Sequence, residues 1–180
     1  MKNAVILHGS GETPESFWFP YIKLELEKKG YIISIPQLPN TDNPDLASWL
    51  PAAFKEAYNE ETLLVGHSAG CPLILSVLEQ LNVKIKQAIL VAGFSTPLPD
   101  GSTSILQDKY DWKKIGENVE DIILINSDND PWGCDDKQGR NILDNLGKGT
   151  LIIQKGEGHM GSDTYNQPYK EFPFLVKLFD

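Results

Sequence analysis

Short runs of apolar residues alternate with longer stretches of helical period along the whole chain. Six runs have the length and β-branched content of buried strands, at residues 3–7, 31–35, 63–66, 87–91, 122–125 and 151–154. Apolar residues recur with helical spacing at about 16–29, 45–58, 69–81, 135–146 and 168–179. This alternation predicts an α/β protein with three layers, in which about six mostly parallel strands carry helices on both faces.

One connection, at residues 94–120, departs from this rhythm. It contains Pro97, Pro99 and a Ser/Thr cluster before a short amphipathic stretch at about 105–115. Long loops of this kind are frequently functional, and this one is short enough to form at most a partial cap over a site. The chain has no repeat, low-complexity tract or Pro/Gly-rich linker, so we expect residues 1–180 to form a single domain.

Composition and charge narrow the classes of function. With 41% hydrophobic and 23% charged residues in 180, the chain has an ordinary globular composition. Its 16 Lys and Arg against 25 Asp and Glu give a net charge of -9, which disfavours nucleic acid as a partner. Membrane association is not expected either, since no apolar run reaches the length of a membrane span.

The cysteines and the first residues bear on the compartment. Cys71 and Cys134 are too few and too far apart for a disulfide framework or a zinc knuckle. The chain starts without the apolar stretch and small-residue cleavage site of a signal peptide. We therefore expect a cytoplasmic protein.

A G-x-S-x-G pattern at residues 66–70 lies directly between a predicted strand and a predicted helix. A turn this sharp strains its middle residue, and Gly66 and Gly70 allow the neighbouring backbone to come close. The pattern and its context predict a nucleophile elbow with Ser68 as nucleophile. The alternative is that Ser68 is a helix N-cap and that the glycines are ordinary turn residues.

A nucleophilic serine needs a general base, and the chain has three histidines. His67 is adjacent to Ser68, so its side chain is expected to point away from the elbow, and His8 ends the first strand. His159 follows the last predicted strand in a glycine-rich loop, at the edge where open α/β sheets place their sites. His159 is therefore the predicted base, with an ordinary surface-loop histidine as the alternative.

The acid that orients the base is expected after the strand at 122–125, where residues 126–131 offer two carboxylates. We choose Asp130, with Asp128 as the alternative, and both could instead simply form a turn. The resulting order of Ser68, Asp130 and His159 is that of the α/β-hydrolases.

An oxyanion formed at Ser68 requires preorganised N–H donors. The candidates are the backbone N–H groups of Ala69, after the nucleophile, and of Ser10, in the loop after the first strand. For Ser10 the alternative is an ordinary glycine-rich turn.

Four large apolar residues follow these loops in the sequence and are expected to line an acyl or aryl pocket. They are Trp18, Phe94, Trp132 and Met160. Simple packing in the core is the alternative role for each of them.

Beyond these motifs, further segments carry a resemblance to a known family. They are Leu7-His8-Gly9, Ser16-Phe17-Trp18-Phe19-Pro20-Tyr21, Leu38-Pro39-Asn40, Ala47-Ser48-Trp49-Leu50, the stretch from Val65 to Pro72, Val91-Ala92-Gly93-Phe94, Ser127-Asp128-Asn129-Asp130-Pro131 and Gly158-His159. Nearly end to end, the chain resembles the small α/β-hydrolases of the YdeN and retinoblastoma-binding serine hydrolase type. The resemblance implies a compact α/β-hydrolase fold with little or no lid and a Ser/Asp/His triad, and it supports Asp130 over Asp128.

The chain also departs from that family. Trp132-Gly133-Cys134 follows the acid, where family members often carry an apolar residue and a proline, which changes the rim of the site. Neither cysteine stands in an L-x-C-x-E motif, so binding to retinoblastoma-type pocket proteins is not expected.

These observations predict a serine hydrolase that cleaves a small carboxylic ester or amide through an acyl-serine intermediate, with a small molecule as its partner and without a cofactor. The alternative from another class is a catalytically weak binding or regulatory protein with the same fold. A metal site is not expected, because no two histidines have the i, i+4 spacing of a helical ligand pair.

Overall fold

A six-stranded sheet runs through the computed structural model, which describes residues 1–101 and 103–179. The strands are β1 (Asn3–Leu7), β2 (Ile32–Ser34), β3 (Leu63–His67), β4 (Ile85–Val91), β5 (Val119–Ser127) and β6 (Thr150–Gln154). All five pairings are parallel, in the order β2-β1-β3-β4-β5-β6. The α/β class and the parallel sheet are therefore confirmed.

Helices connect the strands and cover the sheet. They are α1 (Phe19–Lys28), α2 (Leu46–Ala53), α3 (Gly70–Gln80), α4 (Trp112–Glu117), α5 (Asp136–Leu146) and α6 (Pro173–Val176). The chain leaves β1 towards β2 in one direction and leaves β3 towards β4 in the other. Because crossovers between parallel strands are right-handed, this reversal places α1 and α3 on opposite faces of the sheet.

The reversal also creates a crevice, since the loops after β1 and β3 leave the sheet in opposite directions at its carboxyl edge. Buried apolar side chains on both sides of the central strands hold this framework in place. In α3, Gly70 and the eight residues after it are all buried, so the helix that follows β3 is locked between the sheet and its neighbouring helices. The loops at the crevice therefore rest on a rigid base.

The two outer strands differ from the expectation of a sheet buried on both faces. Ile32 in β2 is 60% exposed and Ile153 in β6 is 45% exposed. Both strands lie at the edges of the sheet, where a strand has only one neighbour. Their apolar composition suits a strand but did not predict this exposure.

Several helices are shorter than the sequence predicts, for local reasons. The first begins at Phe19 because Phe17 has a positive φ of 46°. The second ends at Ala53, whose carbonyl accepts a hydrogen bond from the Tyr58 hydroxyl at 3.0 Å. The last is a single turn, because Tyr169 has a positive φ of 36° that no helix accommodates. The amphipathic stretch predicted at 105–115 contributes only the start of α4.

Within the described residues, no helix is both long enough and apolar enough to cross a membrane.

Candidate active site

Ser68 occupies a strained turn between β3 and α3. Its φ is 51°, a left-handed value that a residue with a side chain seldom adopts without a local reason. Its N–H donates to the Val91 carbonyl at 3.0 Å, which ties the turn to the neighbouring strand β4. The side chain is half-buried and lies on the wall of a cavity.

The two glycines of the pattern are required by close approach. A Cβ at Gly70 would overlap the carbonyl oxygen of Leu7, on β1. At Gly66 it would lie 2.7 Å from the side chain of Ile74 and 3.1 Å from the backbone of Gly70. The first turn of α3 is thus packed against the end of β1, an arrangement that any larger residue at Gly70 would prevent.

His159 is joined to Asp130 by a short hydrogen bond. The distance from Nδ1 of His159 to Oδ2 of Asp130 is 2.7 Å, and both side chains are almost completely buried. The other carboxylate oxygen of Asp130 accepts the N–H of Trp132 at 2.8 Å, which fixes the carboxylate plane. Burial lowers the pKa of His159, although the hydrogen bond to Asp130 opposes this shift.

Asp128 has a different role from Asp130. Its carboxylate accepts the N–H of Gly156 at 2.8 Å, and the side chain of the adjacent Asn129 accepts the N–H of Gly158 at 2.8 Å. The loop after β5 therefore holds the loop after β6 by two hydrogen bonds, while a third residue of the same loop reaches the His159 ring. The geometry favours Asp130 as the partner of His159.

Gln167 also holds the loop of His159. Its side-chain oxygen accepts the N–H of His159 at 2.9 Å. Its backbone exchanges two hydrogen bonds with Ser162. No local pattern marks this glutamine, because its role depends on a turn at 162–167 that is visible only in three dimensions.

A cavity of about 610 Å³ connects most of the predicted site residues. Ser68 and His159 lie on its wall, together with four residues that sequence analysis assigned to the oxyanion hole and the pocket: Ser10, Ala69, Phe94 and Trp132. Within the described part of the chain, the N–H groups of Ser10 and Ala69 have no hydrogen-bond acceptor. Both donors belong to residues on the wall of the cavity.

Two residues predicted to line this pocket do not. Trp18 is completely buried and packs against the rings of Phe19, His67 and Phe172. Its indole N–H donates to the carbonyl of Met160 at 2.9 Å, and Met160 is completely buried as well. The two residues anchor the His159 loop from behind because their side chains turn into the core.

The charge of the cavity wall is negative. Four carboxylate residues line it: the exposed Asp42, Asp100 and Asp163, and the buried Glu12, which is hydrogen-bonded to His67. Among the described residues of the wall there is no lysine or arginine. The electrostatic potential in the cavity therefore disfavours anionic molecules.

Cys134 lies beside the pair of His159 and Asp130. One possible ligand atom from each of the three residues falls within 4.8 Å of the others, a spacing that could hold a metal ion. Burial raises the pKa of the Cys134 thiol well above its ordinary value, which opposes the thiolate that metal binding requires. The ring nitrogen and the carboxylate oxygen already bind each other, so the arrangement suits proton transfer better than metal binding.

Comparison with known proteins finds similar sequences and structures. The sequence model of a family described as serine hydrolase matches residues 4–179. The protein YdeN of Bacillus subtilis (strain 168), named as a hydrolase, is 35% identical over 135 residues, 72% of this chain and 71% of its own. The crystal structure of the ydeN gene product superimposes with a TM-score of 0.89 at 28% identity, over 99% of this chain and 96% of the other.

More distant structures share the fold. A YdeN-like hydrolase from Pectobacterium atrosepticum has a TM-score of 0.74 at 16% identity, covering 98% of this chain and 88% of that one. An extracellular α/β-hydrolase from a Paenibacillus species has a TM-score of 0.64 at 17% identity, covering 99% and 97%. The α/β-hydrolase fold expected from the sequence is confirmed.

Proposed function

Because the chain belongs to the serine hydrolase family, we propose that it hydrolyses a small carboxylic ester or amide through an acyl-Ser68 intermediate. One observation carries this proposal. A strained elbow serine and a histidine that is hydrogen-bonded to a buried carboxylate line the same cavity.

Each group has a defined part in the proposed reaction. Asp130 accepts a hydrogen bond from Nδ1–H of His159, which leaves the unprotonated Nε2 to accept the proton of the Ser68 hydroxyl as its Oγ bonds to the substrate carbonyl carbon. The N–H groups of Ala69 and Ser10 stabilise the resulting oxyanion. The bond from the carbonyl carbon to the leaving oxygen or nitrogen then breaks, His159 donates the proton to the departing alcohol or amine, and the acyl-serine remains.

Deacylation repeats these steps with water as the nucleophile. His159 accepts a proton from the water, the oxyanion forms again, and collapse releases the carboxylic acid while Ser68 regains its proton. No cofactor takes part in either half of the reaction.

The proposed substrate is a small neutral ester or amide, because the wall combines Phe94 and Trp132 with carboxylates. The unpaired cysteines support a cytoplasmic location.

The experiment that tests this proposal is intact mass spectrometry after incubation with a fluorophosphonate, together with hydrolysis of short-chain p-nitrophenyl esters. We expect one adduct on the wild type and none on Ser68→Ala, with ester hydrolysis reduced by at least about 10⁴-fold. A folded wild type that forms no adduct and hydrolyses no ester would contradict the proposal and favour a binding or regulatory protein.

Two aspartates of one loop provide a matched pair for the acid. Asp130→Asn is expected to lower kcat by about 10⁴-fold, because the amide can donate to His159 and favour the wrong tautomer. Asp128→Asn keeps an oxygen acceptor for the Gly156 N–H and is expected to stay within a few-fold of wild type. The reverse ranking of these variants in ester hydrolysis would reassign the acid.

A further inference from the structure

His67 lies immediately before the nucleophile and is completely buried. Its Nδ1 is 2.6 Å from Oε1 of Glu12, and its Nε2 is 2.9 Å from the backbone carbonyl oxygen of His159. A carbonyl accepts hydrogen bonds and cannot donate one, and an ionised carboxylate has the same restriction. With Glu12 ionised, both ring nitrogens donate, and His67 is then an imidazolium ion with Glu12 as its counterion.

His8 provides a reference within the same chain. Its Nδ1 is 3.0 Å from the carbonyl of Gly9, whereas its Nε2 accepts the N–H of Leu38 at 3.1 Å. One ring nitrogen donates and the other accepts, so His8 is neutral. The two buried histidines differ because of their neighbours and not because of their burial.

Glu12 has a second contact that extends this network. Its other carboxylate oxygen accepts the N–H of Gly9 at 2.5 Å, directly before the candidate oxyanion donor Ser10. A Cβ at Gly9 would lie 2.9 Å from Cβ of Ser68 and 2.9 Å from the Glu12 carboxylate. The loop after β1 is thus pressed against the elbow and held there by a carboxylate.

We propose that Glu12 and His67 are positioning residues, forming a buried ion pair that ties the Gly9–Ser10 backbone to the carbonyl of His159 across the nucleophile elbow. The catalytic role of this ion pair rests on the proposed function. The ion pair fixes the position of the oxyanion donor relative to the base, although neither Glu12 nor His67 takes a proton from the substrate. The two loops follow different strands of the sheet, and the Trp18 indole N–H, which donates to the Met160 carbonyl, is a second link between the segment after β1 and the loop of His159.

The surroundings of His67 are consistent with this charge. The titratable groups facing it are Glu12, Asp130, His8 and His159, and aromatic rings occupy the remaining sides. Burial by itself lowers the pKa of His67. The charge of Glu12 and the hydrogen bonds to Glu12 and to the His159 carbonyl outweigh burial, and they leave the pKa raised.

The ion pair is tested directly on the wild type by nitrogen-15 NMR of the imidazole rings. The chain has three histidines, which makes assignment by single substitutions practical. At about pH 6.5, the ordinary histidine pKa, we expect predominantly two protonated ring nitrogens for His67 and predominantly one each for His8 and His159, because the pKa of His67 is raised and those of the other two are lowered. A ring of His67 with one unprotonated nitrogen would overturn the ion pair.

The positioning role is tested by comparing Glu12→Ala with Glu12→Gln, with kcat expressed per fluorophosphonate-reactive site. Glu12→Ala is expected to lower kcat by about 10²-fold with KM changed less, as for a lost oxyanion donor. Glu12→Gln keeps an acceptor for Gly9 and a hydrogen bond to a neutral His67, so it is expected to restore kcat to within about tenfold of wild type.

Gln87→Ala is the control, because it removes a side-chain hydrogen bond of another buried residue, to Asp121, near the start of β4 and away from the cavity. If the pair served stability alone, Glu12→Ala would reduce the reactive fraction and leave kcat per reactive site unchanged, which would overturn the proposal. If Glu12→Ala does not fold, Glu12→Gln provides the test. A Glu12→Gln variant whose kcat falls by about 10²-fold, as for a lost oxyanion donor, would also overturn the proposal. A wild type that does not react with the fluorophosphonate would refute the proposed function. The nitrogen-15 NMR signals of the His67 ring would still show whether the ion pair forms.

Discussion

The three histidines of this chain have different hydrogen-bond partners, and those partners determine what each ring can do. His159 has a carboxylate on one nitrogen, His67 has an oxygen acceptor on each, and His8 has one acceptor and one donor. Sequence position alone singled out His159 as the base. It did not reveal the partner of His67, because Glu12 is 55 positions away and no spacing rule connects the two residues.

The pKa of His159 leads to a prediction about the pH dependence of the proposed hydrolysis. Only a neutral ring can accept the serine proton, and burial lowers the pKa of this ring below its ordinary value of 6.5. A lowered pKa means that the ring remains neutral at pH values where an exposed histidine would already be protonated. We therefore expect the acidic limb of kcat/KM for a neutral ester to have its midpoint below 6.5.

The measurement is a pH profile of kcat/KM, which reports ionisations of the free enzyme. The pKa of His67 is raised above 6.5 by Glu12, so its ionisation is not expected to account for a limb with a midpoint below 6.5. A midpoint above 6.5 would contradict the assignment of His159 as the buried base.

At the scale of elements, the sequence predicted all six strands and their parallel arrangement, because apolar β-branched runs are distinctive. Helix ends were less predictable. Phe17 and Tyr169 adopt positive φ values through tertiary packing, and nothing in their local sequence indicates this. The same limit explains Trp18 and Met160, which follow site loops in sequence but turn into the core.

The contact between α3 and the end of β1 predicts the effect of one methyl group. Gly70→Ala places a Cβ against the Leu7 carbonyl, so backbone must move, and we expect the free energy of unfolding to fall by about 1–3 kcal/mol or more. Urea denaturation measures this change. The loss should extend to fluorophosphonate reactivity, because Ser68 stands directly before the displaced helix.

Gly116→Ala is the matched control, since a Cβ there would lie 3.4 Å from the side chain of Lys148, an ordinary van der Waals contact. In the helix α4 this change is expected to be neutral or to stabilise by up to about 1 kcal/mol. Equal stability of the two alanine variants would show that the close approach at Gly70 is not needed.

At the scale of the whole molecule, the net charge of -9 and the carboxylates on the cavity wall act in the same direction. An ester with an anionic acyl chain is expected to be hydrolysed with a kcat/KM at least about tenfold below that of a neutral ester of equal length at low salt. Added salt should narrow this difference, because it screens the field, and should leave the neutral ester unaffected.

Asp163→Asn removes one exposed carboxylate from the wall and should raise kcat/KM for the anionic ester alone. Steady-state kinetics with both esters at two ionic strengths provide the comparison. Faster hydrolysis of the anionic ester at low salt would mean that a cationic group outside the described wall governs binding.

Because both cysteines are buried, the reactivity of their thiols reports local opening of the structure around them. Cys71 lies in the first turn of α3 and its thiol donates to the Val91 carbonyl at 3.3 Å, while Cys134 follows the Asp130 loop. Burial raises the pKa of each thiol well above its ordinary value, so a thiol reagent can react only after the surrounding structure opens. The rate at which a thiol reagent modifies Cys71 therefore measures local opening beside the nucleophile elbow. The rate for Cys134 measures, independently, local opening next to the Asp130 loop.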